Sequence, residues 1–514
     1  MSQSRENVVE TNAGKLEGYQ QRGLFVFKGI PYAAPPIDAR RWLPPGPVKP
    51  WSGVRPAQTS GPISPQAVTQ GALSDQSLAS EHQSEDCLYL NVWTPGLDDA
   101  HRPVLFWIHG GGFTGGAGSS ATYKGSRLAA RGNAVVVTIN YRLGSLGFLN
   151  LNEITRGKVQ ATGNEGLLDQ VAALKWVNKN INAFGGDPGN VTIFGESAGG
   201  MGVGCQLALP EAKGLFHKAI AQSGAASTAR LLGKAAQVAE QFLDILHVKS
   251  SDTDALRSLS VERLLAAQAE LMPRMQRSGL TPGLALQPVI DGKTLPALPL
   301  DAVRKGAARE IPIIVGTNLD EWKMFNVSQP ERQQMTGTDL LRRLSSFLPG
   351  VNVEALAETY RKALARRGVP NPPAEILAAI ETDQKFRIPA IRLVEAQRSQ
   401  GQSAYNYLFT WPSPLMDGAM GAHHALELSF LFGNYGDAFG GSGRDVDALS
   451  ANIQDAWLAF AHNSAPSCET AGKWPPYDGR RTTMIINEKC RIEEAPYDAE
   501  RRAWDLVPDE VLGS

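Results

Sequence analysis

A serine stands between two glycines in the segment GESAG (195–199), at the spacing G-x-S-x-G. The apolar stretch VTIF (191–194) precedes it and small residues follow it, so the pattern predicts a strand, a sharp turn and a helix. Such a turn exposes the serine hydroxyl for nucleophilic attack, and side chains at the glycine positions would collide with neighbouring backbone. G-x-S-x-G also occurs by chance in long chains, but this context favours Ser197 as a nucleophile.

A run of three glycines could supply hydrogen-bond donors for the same chemistry. HGGGF (109–113) follows the apolar stretch PVLFWI, and bare glycine backbone can approach a substrate closely. Acyl transfer needs N–H groups that hold an oxyanion, and we expect them from Gly111, Gly112 and Ala198. A flexible turn and a phosphate loop are the alternatives. No Asp or Glu lies between Ala100 and Asn152 to bind a ribose, and no Gly-Lys-Ser/Thr follows.

A general base must come late in the chain, because the expected order for this kind of site is serine, acid, histidine. His423 and His424 stand side by side in the glycine-rich segment DGAMGAHHALELSFLFG, from which a loop could return a base to Ser197. The pattern does not separate the two. The other histidines after Ser197 come too early for that order or fit a solvated helix end: His217, His247 and His462.

The acid must orient the base, and two carboxylates are candidates for that role. Asp320 and Glu321 come just after the apolar stretch IPIIVGTN (311–318), where α/β proteins present functional side chains. By position alone, one of the two is a solvated loop carboxylate, and the pattern leaves the choice open.

Apolar stretches that alternate with helical patterns must position these residues. The predicted strands lie at 103–109, 134–140, 191–194, 218–224, 311–318 and 405–410. Helical patterns lie at 163–186, 228–310 and 350–400, and the first 100 residues suggest short strands and irregular surface. This alternation predicts an α/β fold whose mostly parallel sheet has helices on both faces.

Composition excludes several classes of function. The chain has 514 residues, with 50 Lys+Arg against 51 Asp+Glu, so nucleic acid is not an expected partner. No run of about 18 apolar residues predicts a membrane span, and the polar start MSQSRENVVETNAG predicts a cytoplasmic protein, with a removed leader as the alternative. The length alone suggests about three domains. No polar linker divides the chain, and we expect one domain over 1–514.

These motifs resemble the type-B carboxylesterase/cholinesterase family, and especially its bacterial para-nitrobenzyl-type esterases. The resemblance covers nearly the whole chain and implies an α/β-hydrolase fold with large helical insertions over the active site. Besides the motifs above, it rests on FKGIPYAAPP (27–36), SEDCLYLNVWTP (84–95), NYRLGSLGFL (140–149), the segment 163–200 and LFHKAIAQSGA (215–225).

The resemblance also assigns roles. It implies His424 as the base, because HALELSFLFG begins there, and Glu321 as the acid of the pattern G-T-N-x-D-E. Ser223 matches a supporting serine that hydrogen-bonds near the acid, and Glu196 matches a buried glutamate beside the nucleophile. Trp322 departs from the glycine common at its position.

The four cysteines fit no disulfide scaffold. Cys87 matches a cysteine that pairs with an upstream partner in secreted relatives, but no cysteine precedes it here. Cys205 fits a small core residue. Cys468 and Cys490 could pair only if the fold brings them close in an oxidising compartment.

The expected activity is hydrolysis of small to medium, largely apolar, uncharged esters through an acyl-enzyme, without a metal or an organic cofactor. The expected partner is a small-molecule ester, and the expected assembly is a monomer or small homo-oligomer. Three alternatives remain. They are an interfacial lipase with LLAAQAELMPRM (264–275) as its lid, a hydrolase of amides, carbamates or specialised esters, and a non-catalytic binding module.

Apolar side chains near these motifs could line an acyl or alcohol pocket, or could be ordinary core. The candidates are Phe113, Trp322, Met324, Phe325, Trp411, Leu415 and Met416.

Overall fold

An eleven-stranded mixed β-sheet forms the centre of the computed structural model, which describes residues 7–67, 76–277, 283–326, 329–437 and 439–512. Its strand order is β18-β17-β14-β13-β10-β9-β7-β8-β6-β4-β3. The strands of the described residues are β1 (Val8–Thr11), β2 (Gly14–Glu17), β3 (Tyr19–Gln21), β4 (Leu24–Pro31), β5 (Val54–Pro56), β6 (Tyr89–Thr94), β7 (Arg102–Ile108), β8 (Val135–Ile139), β9 (Gly186–Glu196), β10 (Lys218–Gln222), β11 (Arg230–Leu231), β12 (Val289–Ile290), β13 (Ile313–Asn318), β14 (Ala404–Phe409), β15 (Ser467–Cys468), β16 (Gly472–Lys473), β17 (Thr482–Ile486) and β18 (Arg491–Glu494).

The central strands contain continuous apolar stretches because both faces of the sheet are covered. In β7, Phe106 and Ile108 belong to one hydrophobic core cluster, whereas Leu105 and Trp107 belong to a second one. A strand buried on both faces needs apolar residues at consecutive positions, rather than an alternation with polar ones. The continuous apolar stretches in the sequence have this cause, and the predicted α/β fold is confirmed.

Parallel pairing brings the candidate site together. Strand β9 pairs in parallel with β7 and with β10, and β10 pairs in parallel with β13, which pairs in parallel with β14. The carboxyl ends of these strands therefore meet at one edge of the sheet. Gly110, Ser197, Ser223 and Glu321 all follow those ends within four residues.

Helices cover both faces and form the insertions. The helices of the described residues are α1 (Ser126–Gly132), α2 (Gly144–Gly147), α3 (Glu165–Asn180), α4 (Ala198–Gln206), α5 (Leu232–Leu246), α6 (Thr253–Arg257), α7 (Val261–Arg277), α8 (Pro299–Arg304), α9 (Lys323–Asn326), α10 (Gly337–Phe347), α11 (Val353–Arg366), α12 (Pro373–Thr382), α13 (Ile388–Ser399), α14 (Leu426–Leu431), α15 (Arg444–Asn463) and α16 (Asp498–Arg502). A π-helical turn, Asp383–Arg387, joins α12 to α13.

The segment considered as a lipase lid, 264–275, lies within α7. Its apolar residues Leu264, Leu271 and Met275 are buried in the main core cluster. On the same helix, Gln268 accepts a hydrogen bond from the backbone N–H of Ser145 in α2 (3.1 Å). Packing in the core therefore accounts for these three apolar residues of the helix.

A buried ion pair fixes the segment 140–149 to α3. The Arg142 guanidinium donates to both carboxylate oxygens of Asp169 at 2.7 and 2.8 Å, and the Arg142 backbone N–H donates to the same carboxylate. A third bond from the guanidinium reaches the carbonyl of Leu43 (2.8 Å). Because both charges are buried and fully paired, removing one partner would leave the other uncompensated.

The four cysteines are all buried and free. Strand β15 ends at Cys468, and the turn between β17 and β18 contains Cys490, so the fold brings the two side chains into contact. The hydrogen bond between these thiols lowers the pKa of Cys468. The fold thus meets the proximity condition for a disulfide, with both thiols unpaired in this structure. Across the described ranges, no helix is long and apolar enough to cross a membrane.

Candidate active site

Ser197 occupies a strained turn between β9 and α4. Its backbone angles are φ 55° and ψ −125°, a conformation that a residue with a Cβ rarely adopts. A Cβ on Gly199 would lie 2.0 Å from the carbonyl oxygen of Ile108, and one on Gly195 would lie 2.6 Å from the carbonyl of Gly199. These close approaches are the physical reason for glycine on both sides of the serine. The turn leaves Ser197 half-buried, unlike its buried neighbours.

His424 and Glu321 are paired. His424 Nδ1 lies 2.6 Å from Glu321 Oε2, and the other carboxylate oxygen, Oε1, accepts the backbone N–H of Asn318 (2.7 Å). Because a carboxylate can only accept, Nδ1 carries the hydrogen in neutral His424 and Nε2 is left as a proton acceptor. The side chain of Glu321 is fully buried, so the pair is held rigidly and away from water.

The neighbouring candidates have other partners. Asp320 forms an ion pair with Lys323 (3.1 Å) and accepts the backbone N–H of Ala422 (3.0 Å). His423 Nδ1 bonds to the carbonyl of His424 (2.8 Å). The structure therefore pairs Glu321 with His424, and it engages Asp320 and His423 elsewhere.

The three remaining histidines after Ser197 lie outside this cluster. His217 Nδ1 accepts the N–H of Val191 (3.2 Å), His462 donates to the carbonyl of Gly132 (2.8 Å), and His247 ends α5 with a left-handed conformation.

Glu196 places a second carboxylate beside the imidazole. Its Oε1 lies 3.1 Å from His424 Nε2, without the angles of a hydrogen bond, so the contact is electrostatic. Burial raises the pKa of Glu196, and the positive charge of protonated His424 opposes that rise, so the carboxylate and the imidazolium stabilise each other. Burial alone would lower the pKa of His424, but the negative charges of Glu196 and Glu321 outweigh it and raise that pKa to about 9. The cluster thus favours the imidazolium.

We expect Glu196→Gln to move the pH dependence of activity. His424, the base expected from the resemblance, must be neutral to act, so kcat/KM for the uncharged esters expected from the sequence should rise with pH as it loses its proton. Removing the Glu196 charge lowers the pKa of His424, so the acidic limb should move to lower pH by roughly one unit or more. Profiles of log(kcat/KM) against pH for a p-nitrophenyl ester measure this. Glu211→Gln, at an exposed ion pair with Lys175, is the matched control. A limb that stays in place or moves to higher pH would contradict the expectation.

A buried polar network lies behind the pair. Asn318 Nδ2 donates to Glu427 (2.6 Å) and to the carbonyl of His423 (2.7 Å). Gln222 donates to the other oxygen of Glu427 (3.1 Å) and accepts from the indole of Trp457 (3.1 Å). Burial raises the pKa of Glu427 to about 7. Sequence reasoning missed this network, although Gln222, Asn318 and Glu427 lie within or beside the motifs of the candidate site.

The glycine loop after β7 stands directly against Ser197. A Cβ on Gly110 would lie 3.0 Å from the Ser197 Cβ. Gly111 and Gly112 have φ of 111° and 61°, which glycine alone adopts easily. The Gly111 carbonyl accepts the N–H groups of Thr114 and Gly115 (3.1 and 3.0 Å), which fixes the orientation of its peptide.

Three backbone donors remain available at this edge. Within the described ranges, no hydrogen bond occupies the N–H groups of Gly111, Gly112 or Ala198. Ala198 is the first residue of α4, where backbone N–H groups have no partner inside the helix. These donors suit a developing negative charge beside Ser197.

Ser223 lies at the same edge in a strained conformation, with φ 44°. Its backbone N–H donates to the carbonyl of Gly316 (2.9 Å). Its hydroxyl is buried and has no hydrogen-bond partner among the described residues. The resemblance implied a hydrogen bond from the Ser223 hydroxyl near the acid, and that side-chain bond is not formed here.

An aromatic wall packs on the candidate base. The rings of Phe325 and Phe386 lie 5.2 and 4.9 Å from the ring of His424, and Trp322 lies 4.7 Å from Phe325. Trp322, which stands where the family commonly has glycine, thus becomes part of this wall. Phe386 was not predicted, because its position on the π-helical turn has no local signal in the sequence.

The other predicted pocket residues are placed differently. Phe113 is fully buried and packs on Phe148 (4.8 Å). Trp411 donates to the carbonyl of Gly440 (3.0 Å) and packs with the second core cluster. Met416 is 55% exposed. Met324 and Leu415 are half-buried. The structure thus brings Phe325 to His424 and packs Trp322 on Phe325, whereas the contacts of Trp411 are with Phe430 and Gly440. Among the described residues, no group of three or more His, Cys, Asp or Glu could hold a metal ion.

Comparison with known proteins places these observations in a family. The model of the Carboxylesterase family matches residues 5–504. The para-nitrobenzyl esterase of Bacillus subtilis (strain 168) is 41% identical, with 96% of this chain and 98% of that protein covered. The phenmedipham hydrolase of Pseudarthrobacter oxydans is 34% identical, with 93% and 94% covered. The crystal structure of the Geobacillus stearothermophilus carboxylesterase EST55 at pH 6.2 superimposes with a TM-score of 0.86, at 40% identity over 97% of this chain and 100% of that one. The chain therefore belongs to the carboxylesterase family, with the α/β-hydrolase fold, and is a serine hydrolase of carboxylic esters.

Proposed function

We propose that Ser197, His424 and Glu321 are the catalytic triad, and that the N–H groups of Gly111, Gly112 and Ala198 form the oxyanion hole. The observation that carries the proposal is the 2.6 Å bond between His424 and the buried Glu321, at the sheet edge where the strained turn presents Ser197. Such a bond holds the imidazole in the tautomer that can accept a proton through Nε2.

The reaction follows from this geometry in two steps. His424 Nε2 takes the proton of Ser197 as Oγ bonds to the ester carbonyl carbon, and the three N–H groups hold the oxyanion. The tetrahedral intermediate collapses, the bond to the alcohol oxygen breaks, and that oxygen takes the proton from Nε2. Water then attacks the acyl-enzyme with the same proton acceptor, releasing the acid and restoring Ser197.

The substrates we propose are small to medium esters with largely apolar groups near the reacting bond. The wall of Trp322, Phe325 and Phe386 beside His424 supports this, because it offers apolar surface next to the site of reaction. The name of the Bacillus relative, a para-nitrobenzyl esterase, points to the same class of ester. We further propose that residues 1–514 form one hydrolase domain, acting as a monomer or small homo-oligomer. The family match over residues 5–504 supports the single domain.

Covalent labelling tests the assignment of the nucleophile. We expect diethyl p-nitrophenyl phosphate to release one p-nitrophenolate per chain and to leave a diethylphosphoryl group on Ser197, because phosphorylation imitates the acylation step. Peptide mass spectrometry locates the adduct. Ser197→Ala should abolish both the burst and the adduct, whereas Ser223→Ala, at a buried serine of the same sheet edge, should retain them. Full labelling of Ser197→Ala at another serine would contradict the proposal.

A further inference from the structure

Arg230 is a half-buried cation without a carboxylate partner among the described residues. Its Nη2 donates to the carbonyl of Leu284 (2.8 Å), while its buried Nε has no hydrogen-bond partner among the described residues. No carboxylate of the described ranges forms an ion pair with it. The segment 278–282, which lies outside the described residues, contains no Asp or Glu. Burial lowers the pKa of Arg230, which shows that the surroundings disfavour its charge.

The position of Arg230 connects it to the proposed oxyanion hole. Leu284, whose carbonyl holds the guanidinium, has its Cδ2 3.5 Å from the position of a Cβ on Gly112. The backbone N–H of Arg230 donates to the carbonyl of Pro288 (2.8 Å), so the segment after β10 and the segment before β12 are tied together here. Leu284 therefore contacts both the guanidinium, through its carbonyl, and the loop that would hold the reacting carbonyl, through its side chain.

The segment that leads to Arg230 also packs on the helix of the nucleophile. A Cβ on Gly204 of α4 would lie 2.6 Å from the carbonyl oxygen of Ala225, and Ser227 and Thr228 are buried. Arg230 thus stands at the end of a buried connection from the sheet edge, rather than on an exposed loop.

We propose that Arg230 binds a carboxylate carried by the substrate, so that the enzyme takes esters with an acidic group, such as half-esters of dicarboxylic acids. This inference rests on the proposed function and narrows it, against the uncharged esters expected from the sequence. A buried guanidinium is stabilised by an opposite charge that replaces its lost hydration. The bond to Leu284 holds the planar group in place, and its remaining donors fit the two oxygens of a carboxylate.

A purely structural role for Arg230 predicts a different result. If the guanidinium only fastens the segment 283–290, its removal would disturb the oxyanion hole and slow all esters alike. If it binds a substrate carboxylate, its removal changes the preference between a charged ester and an uncharged ester of the same shape. The ratio of the two kcat/KM values separates the roles.

Two pairs of esters of matched shape test the proposal, and a pH-stat measures the acid that their hydrolysis releases. One pair, monoethyl glutarate and ethyl 5-methylhexanoate, carries or lacks the carboxylate on the acyl side. The other pair, 4-acetoxybutanoate and 4-methylpentyl acetate, does so on the alcohol side. The pair that responds identifies the side of the ester that faces Arg230.

We expect Arg230→Gln to lower the charged-to-uncharged ratio of kcat/KM by roughly 10- to 100-fold in one pair, mainly through KM, which is the usual strength of a hydrogen-bonded charge pair. Arg230→Lys should restore part of the ratio, since it keeps the charge but loses the planar fork. An unchanged ratio in Arg230→Gln for both pairs would overturn the proposal.

The wild-type enzyme supplies a measurement that does not depend on the variants. A wholly apolar pocket rejects an anion, so a wild-type ratio near or above one in either pair supports the proposal. A preference of more than about 10-fold for the uncharged ester in both pairs would overturn it, because one charge-assisted bond should offset the cost of removing the carboxylate from water. If the wild-type enzyme hydrolysed none of the four esters, the failure would lie with the proposed function instead.

Discussion

His424→Ala is expected to lower kcat for a p-nitrophenyl ester by about 10⁶-fold, the loss that removal of the base causes in a serine, histidine and acid site that works as a unit. No other described imidazole pairs with a carboxylate at this sheet edge, so no second base can replace it. Steady-state kinetics measure the loss. The enzyme concentration is calculated from the amount of protein, because covalent titration of the active site would fail in this variant.

His423→Asn is the matched control for this prediction. The amide nitrogen of asparagine can stand near the position of Nδ1 and keep the bond to the carbonyl of His424. We therefore expect a loss of kcat that is far smaller than that of His424→Ala. Equal losses in the two variants would mean that the loop of adjacent histidines acts only through its packing, and the choice of His424 would be wrong.

The parts of the site that can be predicted without the family resemblance are those formed by contiguous sequence motifs. The turn around Ser197 and the loop around Gly111 need glycine because a Cβ there would collide with backbone a few residues away or in the adjacent strand. These requirements are local, so they are visible in the sequence. The strands were predictable for a similar reason, because burial on both faces leaves a continuous apolar stretch.

The pairing of acid and base could not be predicted from local patterns. Glu321 and His424 are 103 residues apart, and Asp320 and His423 offer the same chemistry one residue away. Only the resemblance distinguished them, and the geometry then showed distinct partners for each. Residue type and position in the sequence were a poorer guide to which apolar residues lie near His424. Met416 is a mainly exposed loop residue, whereas Phe386 contacts His424 without a sequence signal.

Charge explains why so many carboxylates surround one histidine. Glu196, Glu321 and Glu427 all stabilise the protonated imidazole, and the imidazolium is the form present when the tetrahedral intermediate exists. Burial removes water that would otherwise screen this attraction. The same arrangement raises the pKa of His424 in the resting enzyme, so we expect the acidic limb of the pH profile to lie above the usual pKa of an imidazole.

The second large effect is expected for Glu321→Gln, which should lower kcat by about 10⁴-fold at neutral pH, as the loss of the orienting charge does in such triads. The backbone N–H of Asn318 points at Oε1 of Glu321 and would select the amide oxygen of glutamine. The amide NH₂ would then face Nδ1 of His424, which must become an acceptor, so the hydrogen moves to Nε2. An imidazole with hydrogen on Nε2 cannot take the proton of Ser197.

Asp320→Asn is the matched control, since Asp320 is the adjacent carboxylate and is paired with Lys323. Kinetics on the same p-nitrophenyl ester should show a small loss for this variant beside the large one for Glu321→Gln. The reverse order would transfer the acid role to Asp320. A loss below about 10-fold in both would mean that neither carboxylate orients the base, because a triad that has lost its acid is much slower than that. The tautomer argument makes a finer prediction as well. In Glu321→Gln the ¹⁵N chemical shifts of His424 should place the hydrogen on Nε2, whereas the wild-type neutral form should carry it on Nδ1.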